Sequence, residues 1–311
     1  MSALSTPAKI WFNGKVTDWE QATLHVWTDP VLRAASVFEG IRGYWVAEEQ
    51  RHYLVHFDKH MRRLQQSARL LGLPVEDFGE EFRRAVEGLI AALAYREDIY
   101  LRPTVYLERG GYSREASRMR LGSFMPVFPA PREDSIDTGV TCTVSSWQRA
   151  ADSVIPPRAK TAANYHAFRL ARMEASERGA DEAIMLNSRG QVAETGGASV
   201  FVVRDGQVFT PPIGDSILES ITRESVIRLL VDDLGVTVTE RSVDRTELLI
   251  ADEVFLTGTL CELTPVRQID GLAVGSSVPG PTTLAVQRRY LEECRSGARQ
   301  KLGWLTEGPV L

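Results

Sequence analysis

The chain has 311 residues, of which 43% are apolar and 25% charged, with a formal net charge of −5; these values are ordinary for a soluble globular protein. The length predicts two domains or one large α/β unit, and the acidic balance without a basic arm argues against nucleic acid as a partner. No apolar run reaches the roughly 20 residues of a membrane span, and the first residues lack the apolar region of a signal peptide. Three scattered cysteines fit neither a disulfide framework nor a zinc site, so we expect a cytoplasmic protein without a metal.

The first half of the chain is predicted to mix strands and helices. Ala8 to Asn13 and Leu24 to Trp27 are predicted strands, with a turn at Asn13-Gly14. From Phe57 to Leu71 the apolar residues recur at steps of three and four, which predicts a helix that Asp58 caps. The other predictions for this half are a helix over 80–94, a strand over 99–107 and an irregular segment over 110–119.

Three prolines between 126 and 131 predict the boundary between two domains. We expect a small N-terminal α/β domain over 1–130, a linker over 131–137 and a larger C-terminal domain over 138–311. In the second half, the predicted strands cover 140–145, 183–186, 191–193, 200–203, 208–210 and 254–257, and the predicted helices cover 165–178 and 222–234. Strands mixed with helices, without a strict βαβ rhythm, predict an α+β fold of mixed α/β character.

Lysine is rare in this chain, and one lysine stands out. Only five of the 36 basic residues are lysines, and Lys160 lies in the interior-looking stretch IPPRAKTAANY. A primary amine forms a Schiff base with an aldehyde and a guanidinium does not, so this lysine suggests covalent chemistry. A lysine taken at random is a solvated side chain, and the assignment therefore depends on the residues that accompany Lys160.

Two later residues match the needs of a pyridoxal phosphate site, which requires partners for the pyridine nitrogen and for the phenolate oxygen. Tyr165, at the start of a predicted helix, is suited to the phenolate oxygen, with a core tyrosine as the alternative. Glu194, at the end of a predicted strand beside Gly196-Gly197, is suited to the pyridine nitrogen, with a solvated turn glutamate as the alternative.

The phosphate of such a cofactor needs a cation and backbone N–H groups. The helix start SITRE at 220–224 offers both N–H groups and a hydroxyl, although that pattern by itself more often indicates an ordinary capping box. The turn Gly258-Thr259 gives a similar weak signal. Arg62 and Arg63 both lie off the apolar stripe of their helix, and the pattern does not choose between them.

A series of stretches from residue 10 to residue 266 carries a family resemblance. They are IWFNG (10–14), SVFEGIR (36–42), HMRRLQQSA (60–68), YLRP (100–103), SSWQR with IPPRAKTAANY (145–165), VFTPP (208–212), ITRE (221–224) and ADEVFLTGTLCELTPV (251–266). In this order they resemble the fold-type-IV pyridoxal-phosphate enzymes, and most closely the branched-chain amino acid aminotransferases.

The resemblance implies a function for each matching residue. It implies that Lys160 is the Schiff-base lysine and also moves the substrate Cα proton, with Glu194 at the pyridine nitrogen and Tyr165 at the phenolate oxygen. The implied phosphate contacts are Arg63, Ile221, Thr222 and Thr259. The implied substrate positions are Phe38, Gly40, Tyr100 and Arg102, with the backbone of Gly258, Thr259 and Leu260 as a cradle for the substrate carboxylate. It further implies pyridoxal 5'-phosphate in a cleft between the two domains, and a homodimer or an assembly of dimers.

The chain departs from the family pattern at three places near the substrate. Arg33 stands where the family usually has a tyrosine, FPAPRED replaces a tryptophan-containing segment, and Ser199 replaces an asparagine. One hypothesis is that Arg33 binds an acidic group of the substrate. The alternative is that Arg33 points away into an ion pair.

The resemblance predicts a transaminase that moves an amino group between an amino acid and a 2-oxo acid, with branched-chain L-amino acids favoured. A D-amino acid or (R)-amine transaminase is the first alternative, because the altered pocket allows it. A lyase similar to the aminodeoxychorismate lyases is a more distant alternative. A non-catalytic descendant is disfavoured, because the lysine, glutamate, tyrosine and arginine are all in register.

Overall fold

The computed structural model describes residues 6–74, 77–113 and 115–311. The described residues form two compact units. Unit 1 comprises the chain up to Arg132 together with Ala159–Ala163 and Glu293–Leu311, and unit 2 comprises Glu133–Arg158 and Asn164–Glu292. The predicted boundaries stay a prediction, but two later segments join unit 1, and a short helix occupies part of the predicted linker. Within the described ranges, no helix has both the length and the apolar character needed to cross a membrane.

The structure contains mixed sheets and seven named helices within its described residues. The strands are β1 Lys9–Phe12, β2 Lys15–Asp18, β3 Ser36–Phe38, β4 Ile41–Val46, β5 Arg51–Val55, β6 Ile99–Leu101, β7 Thr104–Arg109, β8 Arg120–Met125, β9 Val127–Pro129, β10 Val140–Gln148, β11 Glu182–Leu186, β12 Val192–Thr195, β13 Ser199–Arg204, β14 Gln207–Thr210, β15 Val238–Glu240, β16 Glu253–Gly258, β17 Glu262–Ile269, β18 Leu272–Ala273 and β19 Leu305–Val310. The helices are α1 Asp29–Arg33, α2 Phe57–Leu70, α3 Phe78–Leu93, α4 Ser135–Thr138, α5 Ala162–Glu177, α6 Ile221–Arg228 and α7 Pro281–Cys294.

Unit 1 is built from two five-stranded sheets, and the chain crosses from one sheet to the other at three places. One sheet has the order β2-β1-β8-β7-β3, and the other has the order β19-β5-β4-β6-β9. The chain passes between the sheets three times, from β3 to β4 at Glu39-Gly40, from β6 to β7 at Arg102-Pro103, and from β8 to β9 at Pro126. Backbone hydrogen bonds join these breaks, since the Glu39 N–H donates to the Pro103 carbonyl and the Arg102 N–H donates to the Pro126 carbonyl. The three breaks therefore form one line across the unit.

Helices α2 and α3 close the core of unit 1. They pack against each other, with α2 also against β3 and α3 against β1 and β19. The apolar stripe of α2 is buried, as its sequence period predicts. Consequently one face of α2 is fixed against the strand that leads into the break at Glu39-Gly40.

Unit 2 is built on a closed ring of six strands. The pairing order β12-β11-β10-β17-β16-β13 is closed because β12 also pairs with β13. Strand β10 runs parallel to both β11 and β17, while the other pairs in the ring are antiparallel. Branched apolar side chains fill one face of the ring, and α6 packs on β16. The predicted α+β fold of mixed character is therefore confirmed.

Most predicted elements are present, and three details are wrong. Leu24 to Trp27 is not a strand, because the two-residue turn at Asn13-Gly14 obliges the partner strand to begin at once, and β2 pairs Phe12 with Lys15. Asp58 is not the cap of α2, since the helix begins one residue earlier after a left-handed residue. The predicted strand over 99–107 is two strands, because Pro103 has no N–H to donate to a ladder.

Candidate functional site

The backbone of Lys160 is held in place by unit 1 from both sides. Its N–H donates to Ser67 Oγ of α2 at 3.0 Å, and its carbonyl accepts from the Phe38 N–H at 3.0 Å. The next residue, Thr161, is fully buried and donates its hydroxyl to the Ser36 carbonyl at 2.8 Å. A bridge between Val37 and Thr161 completes an antiparallel contact with β3. The Lys160 side chain therefore starts from a fixed point, and its Nζ lies 5.2 Å from the centre of the Phe38 ring.

The structure distinguishes the two arginines of α2 that the sequence left equivalent. Arg62 is exposed, whereas Arg63 is buried. Arg63 donates from Nε to Glu39 Oε1 at 2.7 Å and from Nη2 to Glu39 Oε2 at 2.6 Å. His60 Nδ1 lies 2.7 Å from the same Oε2. Arg63 is thus the arginine that faces the interior, and a buried carboxylate holds it.

The four predicted substrate positions lie at the line of strand breaks in unit 1. Phe38 ends β3, and the guanidinium of Arg102 lies 3.9 Å from the centre of its ring. Gly40 follows the break, and a Cβ at this position would lie 2.4 Å from Tyr100 Oη. Only glycine therefore leaves room for the Tyr100 ring, and the structure brings these four residues together.

In unit 2, a β-bulge turns Glu194 away from the apolar core. Val192 pairs with Leu186, and Thr195 pairs with Ile184. The two pairs are three residues apart on β12 but only two residues apart on β11, so β12 contains one extra residue. The bulge shifts the alternation of side chains. Glu194 consequently lies opposite Ser199 of β13, on the face away from the buried core residues of the ring.

The carboxylate of Glu194 is buried and held by two partners. Arg149 Nε lies 2.8 Å from Glu194 Oε1, and both side chains are almost fully buried. The Leu218 N–H lies 3.1 Å from Oε2 and 3.2 Å from Oε1. Arg149 also lies over the Phe168 ring, at 4.7 Å. Glu194 is therefore an oriented carboxylate and not a solvated turn residue.

Glu194, Ser199 and Thr257 are neighbours on three adjacent strands, and all three are polar. Ser199 pairs with Thr257 of β16 in the sheet register. The hydroxyls of both residues are buried, and within the described ranges neither has a hydrogen-bond partner. Tyr165 lies on α5, half-buried, with its ring edge-on to Phe168 at 5.0 Å. This face of unit 2 is therefore polar where a wholly structural surface would be apolar or internally bonded.

The start of α6 and the Gly258 turn also belong to unit 2. Ser220 caps the helix by accepting from the Arg223 N–H at 3.2 Å. Ile221 and Thr222 are both buried and occupy the first turn, where N–H groups have no partner inside the helix. A Cβ at Gly258 would lie 2.6 Å from the Gly197 carbonyl oxygen. The turn that contains Thr259 and Leu260 is thus packed directly against the glycine turn that follows Glu194.

Arg33 forms an ion pair in the structure. It binds Asp29 one turn earlier on α1, its Nε lies 3.3 Å from Tyr112 Oη, and its guanidinium lies 4.9 Å from the centre of the Tyr112 ring. Asp29 Oδ2 also accepts from the Gly111 N–H at 3.1 Å. These contacts provide the ion pair that the alternative interpretation of Arg33 requires, and they tie the predicted irregular segment to α1.

Two residues in these contacts were not predicted from the sequence. Glu39 holds Arg63, and Arg149 holds Glu194. The one local signal for Glu39 was a charged residue inside the apolar run SVFEGI. Arg149 gave no local signal, because its partner lies 45 positions further along the chain. Among the described residues, no group of His, Cys, Asp or Glu could hold a metal ion.

Comparisons with known proteins agree on one family. The sequence model described as amino-transferase class IV matches residues 36–269. The chain is 37% identical, over 95% of its own length and 95% of the relative, to the probable branched-chain-amino-acid aminotransferase of Aquifex aeolicus.

Two solved structures show the same fold at similar identity. The branched-chain amino acid aminotransferase of Thermobaculum terrenum in its PLP form is 39% identical, with a TM-score of 0.88 over 97% of this chain and 98% of that one. The T.th. branched-chain amino acid aminotransferase, complexed with N-(5'-phosphopyridoxyl)-L-glutamate, is 33% identical, with a TM-score of 0.86 over 98% of this chain and 99% of that one.

Proposed function

The chain belongs to the class IV aminotransferases, and from this premise we propose that it exchanges amino groups between branched-chain L-amino acids and 2-oxo acids with pyridoxal 5'-phosphate. The observation that carries the proposal is the extent of the match. The family model spans residues 36–269, a range that contains every proposed site residue except Arg33. The near full-length relatives described above bear the name of this activity.

The residues present fit the cofactor. A phosphate requires N–H donors and a cation; the first turn of α6 in unit 2 is a source of N–H donors, and the buried Arg63 in unit 1 is a cation. A pyridine nitrogen requires an oriented carboxylate, and Glu194 is one. The buried hydroxyls of Ser199 and Thr257, which have no hydrogen-bond partner among the described residues, support a ligand on this face of unit 2.

In this proposal each cofactor residue has a distinct task. Lys160 would hold the cofactor through its amine, and Tyr165 would donate to the phenolate oxygen. Glu194 would keep the pyridine nitrogen protonated. The phosphate would be bound by Arg63, Ile221, Thr222 and Thr259. When bound, the cofactor supplies an electron sink that makes the substrate Cα–H acidic.

The chain's own chemistry is then a proton transfer. When it is not bonded to the cofactor, the free amine of Lys160 would take up the proton from substrate Cα and hold it for return to the product. The Lys160 N–H donates to Ser67 Oγ and the Lys160 carbonyl accepts from the Phe38 N–H, and these two bonds fix the backbone from which the amine extends. Arg149 and the Leu218 N–H hold the Glu194 carboxylate in one orientation. Both supports act by orientation, which costs nothing further during the reaction.

The substrate is assigned to two groups of residues. We propose that Phe38, Gly40, Tyr100 and Arg102 line the side-chain pocket and that the backbone of Gly258, Thr259 and Leu260 binds the α-carboxylate. The T.th. relative was solved with a phosphopyridoxyl-glutamate compound, which supports glutamate as one amino donor. Phe38 supplies an apolar face for a branched side chain.

The assay that tests this function measures product formation by the purified enzyme. L-leucine, L-isoleucine and L-valine are each supplied with 2-oxoglutarate, and the D-enantiomers serve as matched controls. We expect glutamate and the corresponding branched 2-oxo acid from the L-amino acids only. Turnover of the D-amino acids alone would move the chain to the first alternative, which the named relatives do not favour.

Arg33 separates the two substrate hypotheses. Replacement of Arg33 by tyrosine removes the ion pair with Asp29. If Arg33 binds an acidic group of the substrate, the preference among amino donors changes in this variant. An unchanged preference assigns Arg33 to the ion pair alone.

We also propose a homodimer, or an assembly of dimers, in the cytoplasm. The support is a run of exposed apolar side chains at and before α1, in which Trp27 is 77% and Val26 is 72% exposed, since large exposed apolar patches mark association sites. None of the three cysteines, all of which lie in the described ranges, forms a disulfide, which is consistent with a reducing compartment. Sedimentation of the purified protein measures the assembly, and a monomer at micromolar concentration would contradict it.

A further inference from the structure

Glu39, His60 and Arg63 form a buried cluster in unit 1, here called the Glu39 cluster. The Glu39 side chain has no exposed surface, and both of its oxygens are used. Oε1 accepts from Arg63 Nε, and Oε2 accepts from Arg63 Nη2 at 2.6 Å and lies 2.7 Å from His60 Nδ1. Such paired contacts fix both the distance and the plane of a guanidinium.

The cluster joins the helix that holds Lys160 to the strand break that carries the substrate positions. His60, Arg63 and Ser67 follow one another at three and four residues on α2, so they lie on one face. Ser67 accepts from the Lys160 N–H. Glu39 itself lies between Phe38 and Gly40, and its N–H donates to the Pro103 carbonyl at 2.8 Å.

The charges of the cluster follow from its contacts. Burial opposes the ionisation of Glu39, but the charge and hydrogen bonds of Arg63 outweigh burial and lower the pKa of Glu39 to about 2. Burial lowers the pKa of His60, so this imidazole is neutral near neutral pH. Since a carboxylate only accepts, the neutral His60 carries its proton on Nδ1. The cluster is therefore an ion pair supported by a neutral donor.

We propose that Glu39 is a positioning residue for the cofactor phosphate, which acts by holding the Arg63 guanidinium in a fixed plane. The inference rests on the proposed function, in which Arg63 contacts that phosphate. Glu39 does not itself touch the cofactor in this account. Arg63 has a long side chain with several rotatable bonds, and a fixed guanidinium loses less conformational entropy when an anion binds.

Positioning and charge make opposite predictions for this carboxylate. A negative charge next to a phosphate-binding arginine weakens the attraction of the site for an anion. If Glu39 acted only through its charge, its removal would tighten phosphate binding. If it acts by orientation, both its removal and its shortening loosen phosphate binding, because Arg63 then loses its paired contacts.

The test compares pyridoxal phosphate with pyridoxal, which lacks the phosphate. Apoenzyme of the wild type, Glu39→Asp and Glu39→Gln is titrated with each compound, and the ratio of the two dissociation constants isolates the phosphate contribution. We expect that contribution to fall on the order of ten-fold in both variants, by analogy with metal-coordinating side chains that lose a supporting hydrogen-bond partner. Asp58→Asn, also on α2, is the matched control, because it breaks the exposed pair of Asp58 with Arg83 of α3, and it should leave the ratio unchanged.

Each other outcome overturns the proposal in a recognisable way. If the phosphate contributes more to binding in Glu39→Gln than in the wild type, and as much in Glu39→Asp as in the wild type, Glu39 acts through its charge alone. Equal losses for both compounds would show a general structural defect and no action on the phosphate. A wild type that does not prefer pyridoxal phosphate over pyridoxal would refute the proposed cofactor site first, and this inference with it. Glu39→Asp keeps the ion pair's charges, so it still decides the matter if Glu39→Gln does not fold.

Discussion

At the residue scale, the two hydrogen bonds that hold Lys160 in place belong to its backbone, so its side chain can be removed without losing them. Lys160→Ala keeps those backbone contacts but removes the amine. We expect loss of turnover by at least about 10³-fold, because covalent attachment and proton transfer both depend on that amine. The loss is measured as the ratio of the initial rates of the wild type and Lys160→Ala. Lys59→Ala, on α2 away from the cluster, is the control, and near-wild-type rates in Lys160→Ala would contradict the assignment.

Glu194 offers a second test at the same scale. In Glu194→Gln the pyridine nitrogen loses its anionic partner, and Arg149 loses its counter-ion. We expect the variant to bind the cofactor but to turn over roughly 10²-fold more slowly, the order that a positioned acid–base group contributes. Rates are measured per bound cofactor, so that weaker binding does not imitate a slower reaction. Equal rates per bound cofactor would exclude Glu194 from the proposed task.

Individual site residues were predictable only where the sequence carried a pattern. The family resemblance selected Arg63, and the burial of Arg63 beside exposed Arg62 shows a structural reason. Glu39 and Arg149 were missed because each acts through a partner far away in the chain, and no local period marks such pairs. A buried charge is recognisable only once its partner is known.

At the element scale, the contact between two glycine turns makes a sharp prediction. In Gly258→Ala the new Cβ would lie 2.6 Å from the Gly197 carbonyl, which is backbone and cannot rotate away. We expect destabilisation by about 1–3 kcal/mol, as for other overpacked sites. The proposed carboxylate cradle would also shift, so the KM for the amino acid should rise more than kcat falls.

Gly214→Ala is the control for that experiment, because nothing lies within 4 Å of a Cβ there. Chemical denaturation and steady-state kinetics are measured on both variants. Equal stability and equal KM in the two would show that the contact between the turns has no consequence.

Local signals predicted the existence of elements better than their arrangement. The apolar period of α2 and the Asn13-Gly14 turn were visible in the sequence and are present. The break at Pro103 was equally visible as a proline, but the alignment of three breaks across two sheets was not. That alignment depends on pairing between strands far apart in sequence, which a local pattern does not encode.

At the scale of the whole molecule, the Glu39 cluster predicts how stability depends on pH. The pKa of Glu39 is about 2 in the fold, against 4.5 for the free side chain. The stabilisation is therefore complete above about pH 4.5 and is lost as pH falls toward 2, with a total on the order of 3 kcal/mol. We expect the free energy of unfolding of wild type and Glu39→Gln to differ most near neutral pH and to converge in acid. A constant difference between pH 7 and pH 3 would contradict the assigned charge of Glu39.

The assembly of units was less predictable than the fold class. The order of strands and helices predicted an α+β fold, the family resemblance implied two domains, and the solved relatives share the fold. Nothing local in the sequence indicated that Ala159–Ala163 and Glu293–Leu311 belong with unit 1. These segments join it through contacts such as that of Arg295 with Asp98, which lie 197 positions apart.

The most direct test of the central claim is the absorption spectrum of the purified protein before and after L-leucine is added without a 2-oxo acid. The account predicts that visible absorption of a lysine-bound cofactor gives way to the near-ultraviolet absorption of the cofactor's amine form, and that D-leucine causes no change. Lys160→Ala should lack the initial lysine-bound band. A wild-type spectrum without that band, or one that only the D-enantiomer changes, would contradict the account.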